Sequence, residues 1–184
     1  TTQGSGTNDI DVRQAHRMAF INSDVRAVSG QYTFFGVDHV TDVVVANTRI
    51  WASDGSAGPV RFGNGVTRLV FVDNYVRGTT GYAILRIHNT SSNIWMRGNQ
   101  MEANTQGLWL DTFSAPSPSA GPQDRIWIYD NRWYGITPGN QSPALQVRDD
   151  AANPVTNLSV DGDRWCSAAY TPGQQILTAR ASWT

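Results

Sequence analysis

The sequence predicts an all-β chain, a right-handed parallel β-helix of about six coils with three short strands per coil. Three observations lead there. One short pattern recurs six times at a near-fixed spacing. Each copy alternates apolar and other residues with period two. A second short alternating segment lies upstream of most copies.

The recurring pattern is apolar-x-apolar-x, two small polar residues, x, then apolar. It begins at Met18, Val43, Leu69, Ile94, Ile126 and Leu158, giving offsets of 25, 26, 25, 32 and 32 residues. A period in this range with two longer members is the mark of stacked coils that carry loop insertions. Within each copy a strand runs into a polar bend, as in Asp73-Asn74, Gly98-Asn99 or Asp130-Asn131, and a second strand follows. The upstream segments are Val60-Arg61-Phe62, Leu85-Arg86-Ile87, Leu108-Trp109-Leu110 and Leu145-Gln146-Val147. Strands this short bury a face only by pairing with their counterparts in neighbouring coils, about 4.8 Å away. Leucine-rich repeats, six-residue left-handed helices and propellers demand periods this chain lacks.

A chain of 184 residues suits one such unit, expected over 15–184, with 1–14 as an N-terminal extension or cap. The formal charge of −1 and the lack of a basic tail argue against nucleic acid as a partner. All 14 basic residues are arginine, and Glu102 stands alone beside 14 aspartates. Cys166 is the single cysteine, so no intrachain disulfide forms, and it is expected to fill core. No apolar run is long enough to span a membrane, and 1–7 has the features of no leader peptide. CxxC and HExxH spacings are missing, so no cofactor is expected.

Asparagine at the second bend position, at Asn74, Asn99 and Asn131, resembles the asparagine-bearing turn of the pectate-lyase-like right-handed β-helix superfamily, in which such side chains stack as a ladder. Asparagine suits a sharp bend through its tolerance of the left-handed conformation and its bonding to its own backbone. The resemblance covers about residues 15 to 180 and implies a shape shared by polysaccharide lyases, hydrolases, epimerases, phage tailspikes and adhesive proteins. It implies no single activity. It leaves a calcium ion on an aspartate cluster open, as in some members.

The resemblance also implies that the strand preceding the polar bend strand lines a carbohydrate groove. Alternation turns Arg61, Arg86, Trp109 and Gln146 outward in one row, and Gly63, His88, Asp111 and Arg148 in the next, with Asp149 and Asp150 at the edge. The expected roles are substrate binding for Arg61, Arg86, Trp109 and Gln146, and catalysis for His88, Asp111 and Arg148. An indole can stack on the apolar face of a sugar, guanidinium forks fit uronate or sulfate, and a carboxylate beside a histidine can move protons. The competing reading is a solvated strip of surface ion pairs around an aromatic ring that covers an arginine stem.

Trp95 and Trp127 are expected outward on another face, and Trp133 and Trp165 inward. Asp149-Asp150 reads better as a turn than as a catalytic acid pair, and Asp38-His39, near one end of the strip, as a solvated turn. The Pro/Ser-rich insertion between Thr112 and Gln123 leaves the strip directly, and 136–143 is a second loop on the next coil; either could wall a groove or contact a neighbouring subunit, and the composition equally describes a flexible insert. The weak terminal caps are expected to mean either that the chain is a piece of a longer protein or that it sits against partners, as in a homotrimer or larger assembly. Three functions follow: an extracellular or virion-borne polysaccharide-recognising module that could also cleave an acidic glycan, a non-enzymatic structural or decoration module, and a secreted lyase or epimerase.

Overall fold

A computed structural model describes residues 10–26, 34–37, 39–51, 60–63, 65–78, 83–103, 106–112, 121–135, 145–149, 152–166 and 177–179. These residues build a parallel β-helix of three sheets, every strand pairing in parallel with its counterparts in the coils before and after. Sheet A holds β1 (Ile10–Arg13), β4 (Phe34–Val37), β7 (Val60–Phe62), β10 (Ala83–His88), β13 (Gln106–Asp111), β16 (Leu145–Arg148) and β19 (Leu177–Ala179). Sheet B holds β2 (His16–Ile21), β5 (Thr41–Ala46), β8 (Thr67–Val72), β11 (Ser91–Arg97), β14 (Gln123–Tyr129) and β17 (Val155–Asp161). Sheet C holds β3 (Asp24–Arg26), β6 (Arg49–Trp51), β9 (Tyr75–Gly78), β12 (Gln100–Ala103), β15 (Arg132–Tyr134) and β18 (Arg164–Cys166).

The expected coil architecture is present and reaches further than the repeat indicated. β1, β4 and β19 extend sheet A beyond the four strands read from the sequence, and β1 lies inside the segment assigned to an N-terminal extension. The register matches the repeat residue for residue: Met18, Val43, Leu69, Ile94, Ile126 and Leu158 are successive partners across sheet B.

The core follows from this register. Inward columns stack like on like: Val45, Phe71, Met96 and Ile128 from sheet B, Ile50, Val76, Met101 and Trp133 from sheet C, and Leu85 and Leu108 with Ile87 and Leu110 from sheet A, all essentially inaccessible to solvent. Phe62 and Phe71 meet edge to face across the interior, with ring centres 6.0 Å apart. Towards the ends the columns open: Met18, Phe20 and Leu158 are half-buried, and Val160 is 40% exposed.

The corner between sheets B and C is made by backbone chirality as much as by hydrogen bonds. The first bend residue carries the positive φ: Asn22 (54°), Asn47 (47°), Asp73 (53°), Gly98 (67°), Asp130 (55°) and Gly162 (68°). This corrects the expectation that the second-position asparagines adopt that conformation. Asn74, Asn99 and Asn131 are buried, and they bond neighbouring coils rather than their own backbone. Each side-chain oxygen accepts the backbone N–H of the bend one coil earlier. Thr48 N–H donates to Asn74, Asn74 to Asn99, Asn99 to Asn131, and Asn131 to Asp163 Oδ1, all at 2.9–3.0 Å. Each amide group also donates back to a strand carbonyl: Asn74 to Val45 O, Asn99 to Phe71 O and Asn131 to Met96 O. Thr48 substitutes with its hydroxyl, donating to Phe20 O. Asp163 has no amide, and its second oxygen instead accepts the Trp133 indole N–H at 2.8 Å. The bend therefore satisfies buried backbone groups that water cannot reach.

Candidate functional site

The candidate strip lies on the outer side of sheet A, placed there by the alternation that sends Leu85, Ile87, Leu108 and Leu110 inward. Backbone pairing stacks Arg61 on Arg86, Arg86 on Trp109 and Trp109 on Gln146, and sets His88 beside Asp111 and Asp111 beside Arg148. The seven predicted site residues are thus brought together in register over four coils. The side chain of Arg148, Asp150 and the segments 113–120 and 136–144 lie outside the described residues.

The two rows differ in access, which alternation alone does not reveal. In the first row Arg61 and Gln146 are half-buried, the Arg86 side chain is 13% exposed and Trp109 is 8% exposed. In the second row His88 and Asp111 are fully buried. The expectation of a wholly solvent-facing strip is therefore corrected for His88 and Asp111, and for Trp109, whose ring is buried rather than open to a sugar. Burial is sustained by chemistry at the strand ends. Gln123, itself buried at the start of β14, donates its amide to Ile87 O at 2.9 Å and to Asp111 O at 3.3 Å. Asn89 N–H donates to Asp111 O at 2.7 Å, and Ser91 Oγ to His88 O at 3.0 Å. The base of the long insertion is closed by Gly121 N–H donating to Thr112 O.

Within the cluster the Arg86 guanidinium lies over the Trp109 ring, its carbon 4.7 Å from the ring centre, a cation–π contact across adjacent coils. Asp111 Oδ2 lies 4.0 Å from Arg86 Nη2 and 3.9 Å from His88 Nδ1. Both separations are longer than the hydrogen-bond reach that proton transfer requires. Asp111 balances the charge of Arg86 in a setting screened little by water. Such an arrangement places the guanidinium over the indole, with Arg86 the more accessible of the two.

Other predicted positions resolve as structure. Asp149 Oδ2 accepts the Val155 N–H at 3.2 Å, a turn function, and His39 is an exposed residue with φ of 68°; Asp38 lies outside the described residues. Trp133 is core, and the side chains of Trp165 and Cys166 lie outside those described. Trp95 and Trp127 do face outward together on sheet B, with ring centres 5.8 Å apart, and Tyr129 meets Trp95 at 5.3 Å. Among the described residues no three His, Cys, Asp or Glu side chains cluster as metal ligands. Sequence reasoning missed Gln123, whose role depends on reaching across to β10 and β13 from another sheet. It also missed the outer side of sheet C, where Arg49, Arg132 and Arg164 occupy one position of the repeat, a signal visible in the copies themselves.

Comparison of the chain with protein-family models, with curated proteins and with solved structures finds no match, so its function is argued from the parallel β-helix and its surfaces.

Proposed function

We propose that this chain is a carbohydrate-recognising β-helix of the pectate-lyase-like, phage-tailspike kind, working outside a cell or on a virion surface within a homo-oligomer such as a trimer. The observation that carries the reading is the row Arg61, Arg86, Trp109 and Gln146, in register on four successive coils, with the Arg86 guanidinium over the Trp109 indole. An element that presents planar cations and an amide at strand spacing suits a polymer of polar rings carrying carboxylate or sulfate. Its order is set before the ligand arrives, which lowers the entropic cost of binding. The inaccessible setting of His88 and Asp111 supports recognition over bond cleavage, and the part of Asp111 is to hold Arg86.

The test is a glycan array and a depolymerisation assay on the whole chain, run beside Arg61→Ala/Gln146→Ala, whose side chains are half-buried. Loss of glycan binding by about tenfold or more, the scale of one charge-assisted contact, with unchanged thermal unfolding is expected, and no shortened product. Unchanged binding in the variant sinks the reading. A second reading, a structural module packed against copies of itself, is favoured by the outer side of sheet B. There Ile21 is 52% and Trp95 38% exposed beside Val44, Val70 and Trp127, an apolar stripe of the sort that marks association surfaces. Sedimentation of Trp95→Ser against the unaltered chain decides it: an unchanged oligomer removes this stripe from the assembly.

A further inference from the structure

The outer side of sheet C is cationic in a way that sheet B is not. One outward row stacks Asp24, Arg49, Tyr75, Gln100, Arg132 and Arg164 in register. The next stacks Arg26, Trp51, Arg77, Glu102 and Tyr134. Five arginines therefore share this face with two carboxylates, in a chain of net charge −1. The carboxylates are both engaged. Asp24 takes Arg26 through both arms at 3.1 Å, and Glu102 takes Arg77 at 3.7 Å and the Tyr75 hydroxyl at 2.9 Å. Arg49, Arg132 and Arg164 are exposed and form no ion pair among the described residues. On sheet B, by contrast, the charges cancel pairwise, Arg68 with Asp42, Arg97 with Asp130 and Arg125 with Asp124.

Trp51 decides what kind of anion fits. The guanidinium carbons of Arg26, from the coil before, and Arg77, from the coil after, lie 5.6 and 5.9 Å from the centre of its ring, and Tyr75 meets it at 5.3 Å. The neighbours that would have to move for a base or an apolar sugar face to stack there are two cations. The indole thus serves to hold guanidinium groups in place on the surface, and recognition falls to charge rather than to stacking. Single-stranded nucleic acid, which relies on stacking against open aromatic faces, is the poorer match.

We infer that the outer face of sheet C is a second binding surface, for a linear acidic polysaccharide that runs along the rod and sets its anionic groups on Arg49, Arg132 and Arg164. Six strands at about 4.8 Å spacing give a track of about 24 Å, long enough for several charges to engage at once. The inference rests on the proposed carbohydrate function only in taking the polyanion to be a glycan; the face and its residues are separate from the sheet A row.

The test measures binding of the purified chain to polygalacturonate, dextran sulfate, uncharged dextran and mixed-sequence single-stranded DNA at low and moderate salt. It is run for the unaltered chain, Arg132→Ala/Arg164→Ala, Arg61→Ala/Gln146→Ala and the chain that combines all four substitutions. The expected result is salt-sensitive binding of polygalacturonate or dextran sulfate, the better of the two identifying carboxylate or sulfate as the anion. With the sheet A row already removed by Arg61→Ala/Gln146→Ala, that binding weakens at least about tenfold further on adding Arg132→Ala/Arg164→Ala, the scale for losing charge-assisted contacts. Unchanged thermal unfolding of the combined variant shows the loss to be local. Equal binding by the combined variant and by Arg61→Ala/Gln146→Ala, no binding of either acidic glycan at low salt, or tighter binding of DNA than of both glycans overturns the inference. Failure of the sheet A reading shows separately, as a combined variant that binds every glycan like Arg132→Ala/Arg164→Ala.

Discussion

Asn99→Ala removes four hydrogen bonds from the centre of the bend ladder in one substitution. The side chain is fully buried; its oxygen accepts Asn74 N–H and Asn74 Nδ2 at 3.0 Å, and its amide donates to Phe71 O and Asn131 Oδ1 at 2.8 Å. Not all of these partners are stranded. Asn74 Nδ2 keeps Val45 O, and Asn131 Oδ1 keeps the Asn99 backbone N–H. The Asn74 N–H and the Phe71 carbonyl lose the bonds that Asn99 supplies. At about 1–3 kcal/mol for each buried group left unsatisfied, the loss is about 2–6 kcal/mol, a large share of a typical domain stability of about 5–15 kcal/mol. Urea unfolding measures it as a lower midpoint at similar slope. Arg97→Ala, two residues away with its side chain 61% exposed, is the control and should stay within about 0.5 kcal/mol. Asn99→Asp separates bonding from shape: it keeps an acceptor for Asn74 but turns an oxygen towards Phe71 O, and should cost at least as much as alanine near neutral pH. A loss below about 1 kcal/mol in Asn99→Ala would refute the claim that the ladder holds the corner.

Asp111→Ala leaves the largely buried Arg86 without the carboxylate 4.0 Å away and should lower stability by about 2–5 kcal/mol, read as a drop in Tm, whereas a purely surface pair would barely register. Gly98→Ala forces a side chain into φ of 67° and against the Asp73 carboxylate, costing about 1–2 kcal/mol by the left-handed penalty alone; Asp73→Ala in the same chain should recover the steric share in a double-mutant cycle. Burial pushes the Asp163 carboxyl above its ordinary 3.8, opposed by the bonds it accepts from Asn131 and Trp133, so ionisation there works against folding and stability rises as pH falls from above its folded pKa towards 3.8. Asp163→Asn abolishes that dependence, and its stability relative to the unaltered chain should decline as the buffer is acidified towards that value, measured by urea unfolding at a series of pH values. Asp24 and Asp42, held low by hydrogen bonds from Arg26 and Arg68, act oppositely: their contribution is present above 3.8 and lost only below it, and it is small because both pairs are exposed.

The repeat made the coils legible because each inward column obeys a single constraint, an apolar side chain at fixed register; Met18 to Leu158 could be aligned by eye and pair in the same order. β1 and β4 escaped although Phe34 stands nine residues before Val43, as Val60 stands before Leu69; Gly36 interrupts the apolar alternation in β4, and β1 follows a polar stretch. Conformation at the bend was assigned to the wrong residue for a related reason. Asparagine satisfies both the left-handed region and a buried hydrogen-bonding ladder, and composition does not say which demand it meets; Gly98 and Gly162 at the first position carried the answer, since glycine has no amide to offer a ladder. In the strip, alternation correctly turned Arg86, His88, Trp109 and Asp111 away from the core column. Access failed to follow, because burial of an outward residue depends on tertiary surroundings that a period-two pattern does not encode.

A coil of this kind uses its inward residues for folding and leaves its outward ones nearly unconstrained, so each lateral face can carry its own chemistry at the same strand spacing. Here the three faces have diverged: a row of Arg61, Arg86 and Trp109 on sheet A, an apolar stripe through Val70 and Trp95 on sheet B, and the arginines of sheet C. If the stripe packs copies of the chain together, the other two faces remain open, and each rod in the assembly would offer both. Two modest contacts to one glycan chain, made by adjoining rods, then act at high effective concentration and bind far more tightly than either alone. The Trp95→Ser chain, in losing its partners, should accordingly lose apparent affinity for long glycans while keeping affinity for short ones, although Trp95 touches neither binding row. Equal loss for short and long glycans would place Trp95 in direct contact with the sugar and dissolve the division of labour among the faces.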